Sequence, residues 1–244
     1  MTTPILPALI KIPAGPVRLG CVGGDREATP DEYPAALLNV PAFALAQTPV
    51  TTEEFLRFVE TGRAKPRRFW GGLRPPPGIE RHPVINVSWA DAKAYCDWLA
   101  ECSSKPYRLP TELEWERAAS GAEEQRWPWG NEFDPLLANT REAGRGKTVT
   151  VDAQPEAASP FGVLDLAGNA WEWTSDVFRP YPYQSTLESE LPPLAPGEFE
   201  DSRRVLRGGS CMAEAKWSRC SARVRWQPLY IFSGHVGFRV ACGE

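Results

Sequence analysis

The stretch from Phe161 to Thr174 limits what this chain can fold into more than any other, because it places Trp171 and Trp173 two residues apart. Side chains two apart on a strand leave the same face, so both indoles enter one apolar layer while Glu172 points the other way. Gly168-Asn169, just upstream, is a turn pair and predicts a chain reversal immediately before that strand.

Such a segment needs a large core, and the composition supplies one in an unusual way. Hydrophobic residues make up 42% of the 244 residues, but 25 prolines, 20 glycines and 10 tryptophans imply a core knitted by loops and aromatics more than by long regular elements. No low-complexity linker or charge block divides the chain, which predicts a single domain over residues 1–244. The net charge of −4 argues against a nucleic-acid partner. A basic patch after Ser202 remains open, since arginine far outnumbers lysine and many arginines lie there. The N-terminal residues lack a basic region followed by an apolar run, and no stretch approaches a membrane-spanning length; we expect a cytoplasmic protein with no membrane insertion. The six cysteines show no Cys-x-x-Cys spacing and read as small buried hydrophobes, and the two histidines, His82 and His235, leave little room for histidine-based metal catalysis.

Taken in order, Ile10–Leu19 reads as a short strand interrupted by Pro13 and Gly15, and Ala36–Ala46 restores a strand pattern. The period then changes to helical. Thr51 with Glu54, Ser88 with Asp91 and Thr111 with Glu114 each make a helix-opening pair, and Gly62 and Gly121 are stops for the first and third helices. Cys96 falls on the inner face of the second. Arg63–His82 and Phe178–Ser202 read as loops. Beyond them come a strand at Arg204-Val205-Leu206, a turn at Gly208-Gly209, and a closing strand over Val236–Val240.

Four blocks together are similar to the formylglycine-generating-enzyme (sulfatase-modifying factor) family. They are Pro83–Ala92, Tyr107–Glu116, Gly168–Trp173 and Arg207–Ser210 with Gly237-Phe238-Arg239, joined by Trp129-Gly130-Asn131. The resemblance implies an α+β, C-type-lectin-like fold with little regular secondary structure. It does not fix function, because one scaffold carries many chemistries. Enzymes of the family place two cysteines as Cys-x-x-x-x-Cys after the Arg-Gly-Gly-Ser turn to bind copper(I), a soft metal suited to thiolates. Here Cys211 and Cys220 stand at a different spacing in a shorter stretch, so copper is not expected, although the two can still meet in space. Related iron enzymes of this fold need three histidines, and this chain has two.

The frame residues Arg204–Ser210, Arg219, Arg223, Arg225, Pro228 and Gly237-Phe238-Arg239 look like those of the variable proteins of diversity-generating retroelements. That resemblance implies a non-catalytic ligand-display protein whose segment 204–240 is diversified to bind a macromolecule, most simply a protein. The contact residues would be Met212, Ala213, Glu214, Trp217, Ala222, Val224, Trp226, Gln227, Tyr230, Phe232, Ser233 and His235. Clustered aromatics suit such a surface, since Trp and Tyr supply much of the hot-spot energy of interfaces; the competing reading is that Trp217, Trp226 and Phe232 are core. Arg219, Arg223 and Arg225 would tie the loops, or alternatively meet a phosphate or acidic partner. The family also implies calcium as a structural cofactor, held by Asp165, Glu172 and the carbonyls of Gly168 and Ala170, oxygen ligands suited to a hard cation. The same carboxylates can instead brace the turn by accepting backbone N–H bonds. The alternative function is a copper-dependent formylglycine-generating oxidase, or a regulatory relative of one.

Overall fold

A computed structural model describes residues 2–67, 70–182, 203–227 and 235–243. Three helices form where the capping pairs predict. They are α1 (Thr52–Val59), α2 (Trp89–Ser103) and α3 (Glu112–Ser120), and each N-cap hydroxyl accepts from the N–H three residues on. Gly121 ends α3, and Ser104 ends α2 in the left-handed conformation.

The strands fall into three sheets. β1 (Leu9–Ile12), β4 (Phe43–Ala46), β5 (Tyr107–Arg108) and β10 (Ala241–Gly243) form one, in the order β1-β4-β10-β5. β2 (Gly15–Leu19) and β3 (Ala36–Val40) form a two-stranded ribbon. β6 (Trp171–Val177), β7 (Arg204–Arg207), β8 (Arg223–Trp226) and β9 (Val236–Phe238) form the third, ordered β8-β7-β6-β9 with β9 parallel to β6. Each of the two N-terminal strand patterns therefore splits between two sheets, at Pro13-Ala14 and at Pro41-Ala42.

The third sheet separates two interiors. Trp173 aligns with Leu206 of β7 and Phe238 of β9, and Leu206 aligns with Val224 of β8. This row faces the aromatic cluster of α1 and α2, where Phe55, Phe58, Tyr95 and Trp98 stack edge to face. The buried Trp173 indole N–H donates to the Val87 carbonyl at 2.8 Å. Glu172 does point the other way, yet it is only 1% exposed, because α3 covers that face and Trp115 Nε1 donates to its carboxylate at 2.8 Å. Gly237 allows the tight fit at β9: a Cβ there would lie 2.3 Å from the Val84 carbonyl oxygen.

The closing strand differs from expectation. The ladder stops at Phe238, and the chain crosses to the first sheet as β10. Arg239 is the physical reason. Its guanidinium is drawn inward to both Glu172 oxygens, at 2.7 Å each, and to the Ala46 and Leu164 carbonyls, which turns the backbone out of the β9 register. Among the described residues no helix is long and apolar enough to cross a membrane.

Candidate functional site

The Gly208-Gly209 turn, both residues at positive φ, carries the chain from β7 into the segment Ser210–Ser218. Met212 is 51% exposed, and Ala213, Glu214 and Trp217 are half-buried. This loop is fastened from outside the C-terminal segment. Arg141 donates its N–H to the Ala213 carbonyl at 2.9 Å and pairs with Glu214 at 3.1 Å, while both Glu142 oxygens accept from the Ala215 N–H at 3.0 Å. Burial works to raise Glu142, and hydrogen bonds led by that N–H more than offset it, holding the carboxyl below its usual range. Sequence reasoning missed Arg141 and Glu142, whose contacts span about 70 residues of chain with no local pattern to announce them.

Beneath the loop lies a set of buried ion pairs. Arg219, fully buried, meets both Glu32 oxygens at 2.8 Å and reaches Asp25 at 3.3 Å. Arg207 pairs with Glu112 and Glu116 of α3 and donates to the Cys220 and Ser221 carbonyls. Arg223 donates to Glu112 at 2.9 Å and to the carbonyls of Asp31 and Arg179. Arg219 and Arg223 are thus frame residues. With their charge spent on internal carboxylates, the alternative of a phosphate or acidic-partner site at these two arginines does not hold. Arg225 is half exposed, with Asp31 3.9 Å away. Burial, reinforced by the neighbouring Glu112, pushes Glu116 up to about 7 despite Arg207.

The other proposed contact residues are not grouped with this loop. Val224, Trp226, Gln227 and His235 are half-buried along the third sheet. Val224 and Trp226 pack against the first core beside Trp89 and Trp171, so Trp226 has a structural share as well as an open one. Arg204 lies 4.0 Å over the Trp89 ring, and the His235 carbonyl accepts from the Trp171 N–H at 2.9 Å. Burial lowers the His235 pKa below its ordinary value. Ala222 is a correction: it is 0% exposed, sealed beneath the start of β8, and it presents no contact surface. Tyr230, Phe232 and Ser233 lie outside the described residues.

The cation sites fit poorly. A calcium ion bound by Asp165, Gly168, Ala170 and Glu172 would meet a guanidinium already seated on Glu172. Arg239 neutralises Glu172 on both oxygens, Asn169 donates to Asp165 at 2.7 Å, and the Gly168 carbonyl accepts from the Ala170 N–H at 2.8 Å. The bracing role, which the sequence left open, is what these contacts perform, with a guanidinium supplying the positive charge. Asn169 is tied in the same way to Asn139 and Val149. Nor do Cys211 and Cys220 make a thiolate pair suited to copper. They are 0% and 2% exposed, and desolvation pushes Cys211 up to about 11 and Cys220 higher still.

Residues 2–243 match the family described as the sulfatase-modifying factor enzyme 1-like domain. Serine/threonine-protein kinase pkn1 of Chlamydia pneumoniae is 33% identical over 254 residues, covering 98% of this chain and 38% of the kinase. The chain spans only 36% to 38% of the length of the chlamydial kinases it matches. The formylglycine-generating enzyme of Bos taurus is 37% identical over 177 residues, covering 66% of this chain and 44% of that enzyme. Among solved structures, Treponema denticola variable protein 1 superposes with a TM-score of 0.78 at 24% identity, covering 97% of this chain and 95% of that one. The architecture is the C-type-lectin-like fold of the formylglycine-generating-enzyme type, and by the match along almost its whole length the chain belongs to the sulfatase-modifying factor family.

Proposed function

We propose that this chain is a non-catalytic ligand-display module whose segment 204–240 is diversified and binds a protein target. One observation carries this reading: the segment divides into an anchored part and an open part. Arg207, Arg219 and Arg223 are held in buried ion pairs, whereas Met212, Ala213, Glu214, Trp217, Trp226 and Gln227 keep surface to offer. A surface whose contact residues can change without disturbing its support is what diversification requires. Aromatic anchors on rigid backbone bind with small ordering cost.

The test is genetic. A near-copy of the stretch encoding Arg204–Val240, lying beside a reverse-transcriptase gene and differing mainly at codons for Met212, Glu214, Trp217 and Trp226, is the expected finding. A gene neighbourhood with neither copy nor reverse transcriptase would remove the diversification half of the proposal.

A second reading, a recognition domain attached to another system, is favoured by the match to about a third of the chlamydial kinases. It shares the binding surface and differs in predicting a fixed one. An oxidase of the formylglycine-generating type is the enzymatic alternative, kept open by the 37% identity to the bovine enzyme. It would require Cys211 and Cys220 to leave their buried, protonated states and share a metal.

A further inference from the structure

Two features lie outside the display surface and complement one another. The first is the loop of residues 71–78, Gly-Gly-Leu-Arg-Pro-Pro-Pro-Gly. Gly71 and Gly78 hold positive φ at its two ends, and a Cβ on Gly71, Gly72 or Gly78 would meet nothing within 4 Å, so the loop stands clear of the body. Leu73 is 80% exposed, the highest value for a large apolar side chain among the described residues. The Arg74 side chain is 76% exposed even while it touches Glu60 at 3.0 Å. Arg57 approaches the same carboxylate at 3.6 Å, so Arg74 can turn to a partner without stranding Glu60. Pro75, Pro76 and Pro77 follow, and with φ fixed by their rings they lose little entropy on docking.

The second is a cleft of about 400 Å³ walled by Pro128, Trp129, Pro160 and Phe161, with Glu123 and Glu156. Its walls are fixed before anything binds. Trp129 Nε1 donates to the Glu132 carbonyl at 3.0 Å. Arg117, buried and donating to the Pro16 carbonyl at 2.9 Å, lies 5.1 Å over the Phe161 ring. Gly121 sits so close to Pro160 that a Cβ there would come within 2.7 Å of its ring. Trp129 and Phe161 are both half-buried, which leaves part of each ring open. The charge is one-sided. Glu123 and Glu156 are exposed and, among the described residues, neither has an ion-pair partner and no lysine or arginine lines the cleft. An apolar segment that carries a cation therefore meets two unpaired carboxylates and no competing positive charge in the lining.

We propose that the chain associates head to tail with a second copy of itself, residues 73–77 of one molecule lying in the Trp129–Phe161 cleft of the next. Proline rings pack on the aromatic walls, as in grooves that recognise proline-rich segments, and Arg74 meets the two glutamates at the rim. The chain carries both the segment and its receptor, which commits the cleft to a second copy over other occupants. Loop and cleft are different surfaces, so the contact is heterologous, and each molecule keeps one of them free to extend the assembly or close a ring. A contact this small and partly ionic is weak and is weakened further by salt. None of the proposed display residues takes part, so the inference stands apart from that reading.

Sedimentation equilibrium of the purified chain at low salt tests this. The mean mass should rise with concentration, and R74E and the double variant E123R/E156R should each associate about fivefold more weakly. All three positions are exposed, so the fold is not at stake. An equimolar mixture of the two variants should associate as wild type does, because the R74E loop then meets an arginine-rimmed cleft and the native loop meets a native cleft. A chain that stays monomeric at every concentration, variants that associate like wild type, or a mixture no better than its parts would overturn the proposal. A monomeric chain that nonetheless binds a synthetic peptide of residues 72–79 would overturn it too, and would give the cleft to a proline-rich segment of another protein.

Discussion

Arg219 has no access to solvent, and its value lies in the charge it keeps company with. Two charges taken out of water are tolerable only when each satisfies the other, and Glu32 accepts both Nη groups at 2.8 Å in a bidentate pair. Arg219→Leu would strand Glu32, itself 0% exposed, and should cost about 3–5 kcal/mol. In a chain of this size that is a fall of about 10 °C in the melting midpoint by calorimetry; an unchanged midpoint would mean that water reaches Glu32. Glu116 makes a pH-dependent prediction. Its carboxyl stands at about 7 in the fold against an ordinary 4.5, so the folded chain holds that proton more tightly than the unfolded one. The resulting stability is full below pH 4.5 and is lost as pH rises through 7, a change of about 3 kcal/mol at ~1.4 kcal/mol per unit. Urea midpoints at pH 5 and pH 8 should therefore differ, and Glu116→Gln should flatten that slope; a wild-type midpoint that does not fall from pH 5 to pH 8 would contradict the assignment. The resemblance to retroelement variable proteins marked the arginines as frame residues in the sequence. Their carboxylate partners were illegible because Glu32 lies 187 residues from Arg219, and only the folded chain brings them together.

Elements that close on themselves were the ones the sequence announced. Each helix begins at a hydroxyl followed three residues later by a carboxylate, a signal contained within four residues and independent of the rest of the fold. Ser88→Ala should accordingly cost about 1 kcal/mol, read as a shift of the denaturation midpoint; a larger loss would mean that the Asp91–Arg67 pair fails with the cap. Elements decided by distant partners were not legible. Val236–Val240 alternates well enough to pass for one strand, but Arg239 leaves the ladder for Glu172, 67 residues away, and the true closing strand is β10 in another sheet. The same blindness hid the second interior. Glu172 pointed away from the tryptophans as the pattern required, yet nothing local showed that α3 would bury that side as well.

Among the described residues the two larger cores lie on either side of one sheet, and the C-terminal segment is woven into both. Trp226 leans on the first core, Cys220 sits in the second, and the Met212–Trp217 loop stands outside, braced by Arg141 and Glu142. Family membership was readable because its blocks are local motifs spread along the chain; which of them serve a site was not, because burial decides that and a motif does not state it. Ala222 shows the limit, falling among contact candidates by resemblance and among sealed residues by structure. At this level the account also predicts weak, non-stoichiometric copper(I) uptake by the purified chain, unchanged by Cys211→Ser; tight one-to-one binding lost in that variant would restore the oxidase reading. The central claim is that an exchangeable surface rests on an unexchangeable frame. Thermal melting of a chain carrying serine at Met212, Glu214, Trp217 and Gln227 together, beside wild type and Arg219→Leu, tests it most directly. The account predicts that the fourfold variant melts within about 4 °C of wild type, equivalent to ~1–2 kcal/mol, while the single frame substitution falls well below both. A fourfold variant that unfolds as readily as Arg219→Leu would place those residues in the core and contradict the display of a replaceable surface.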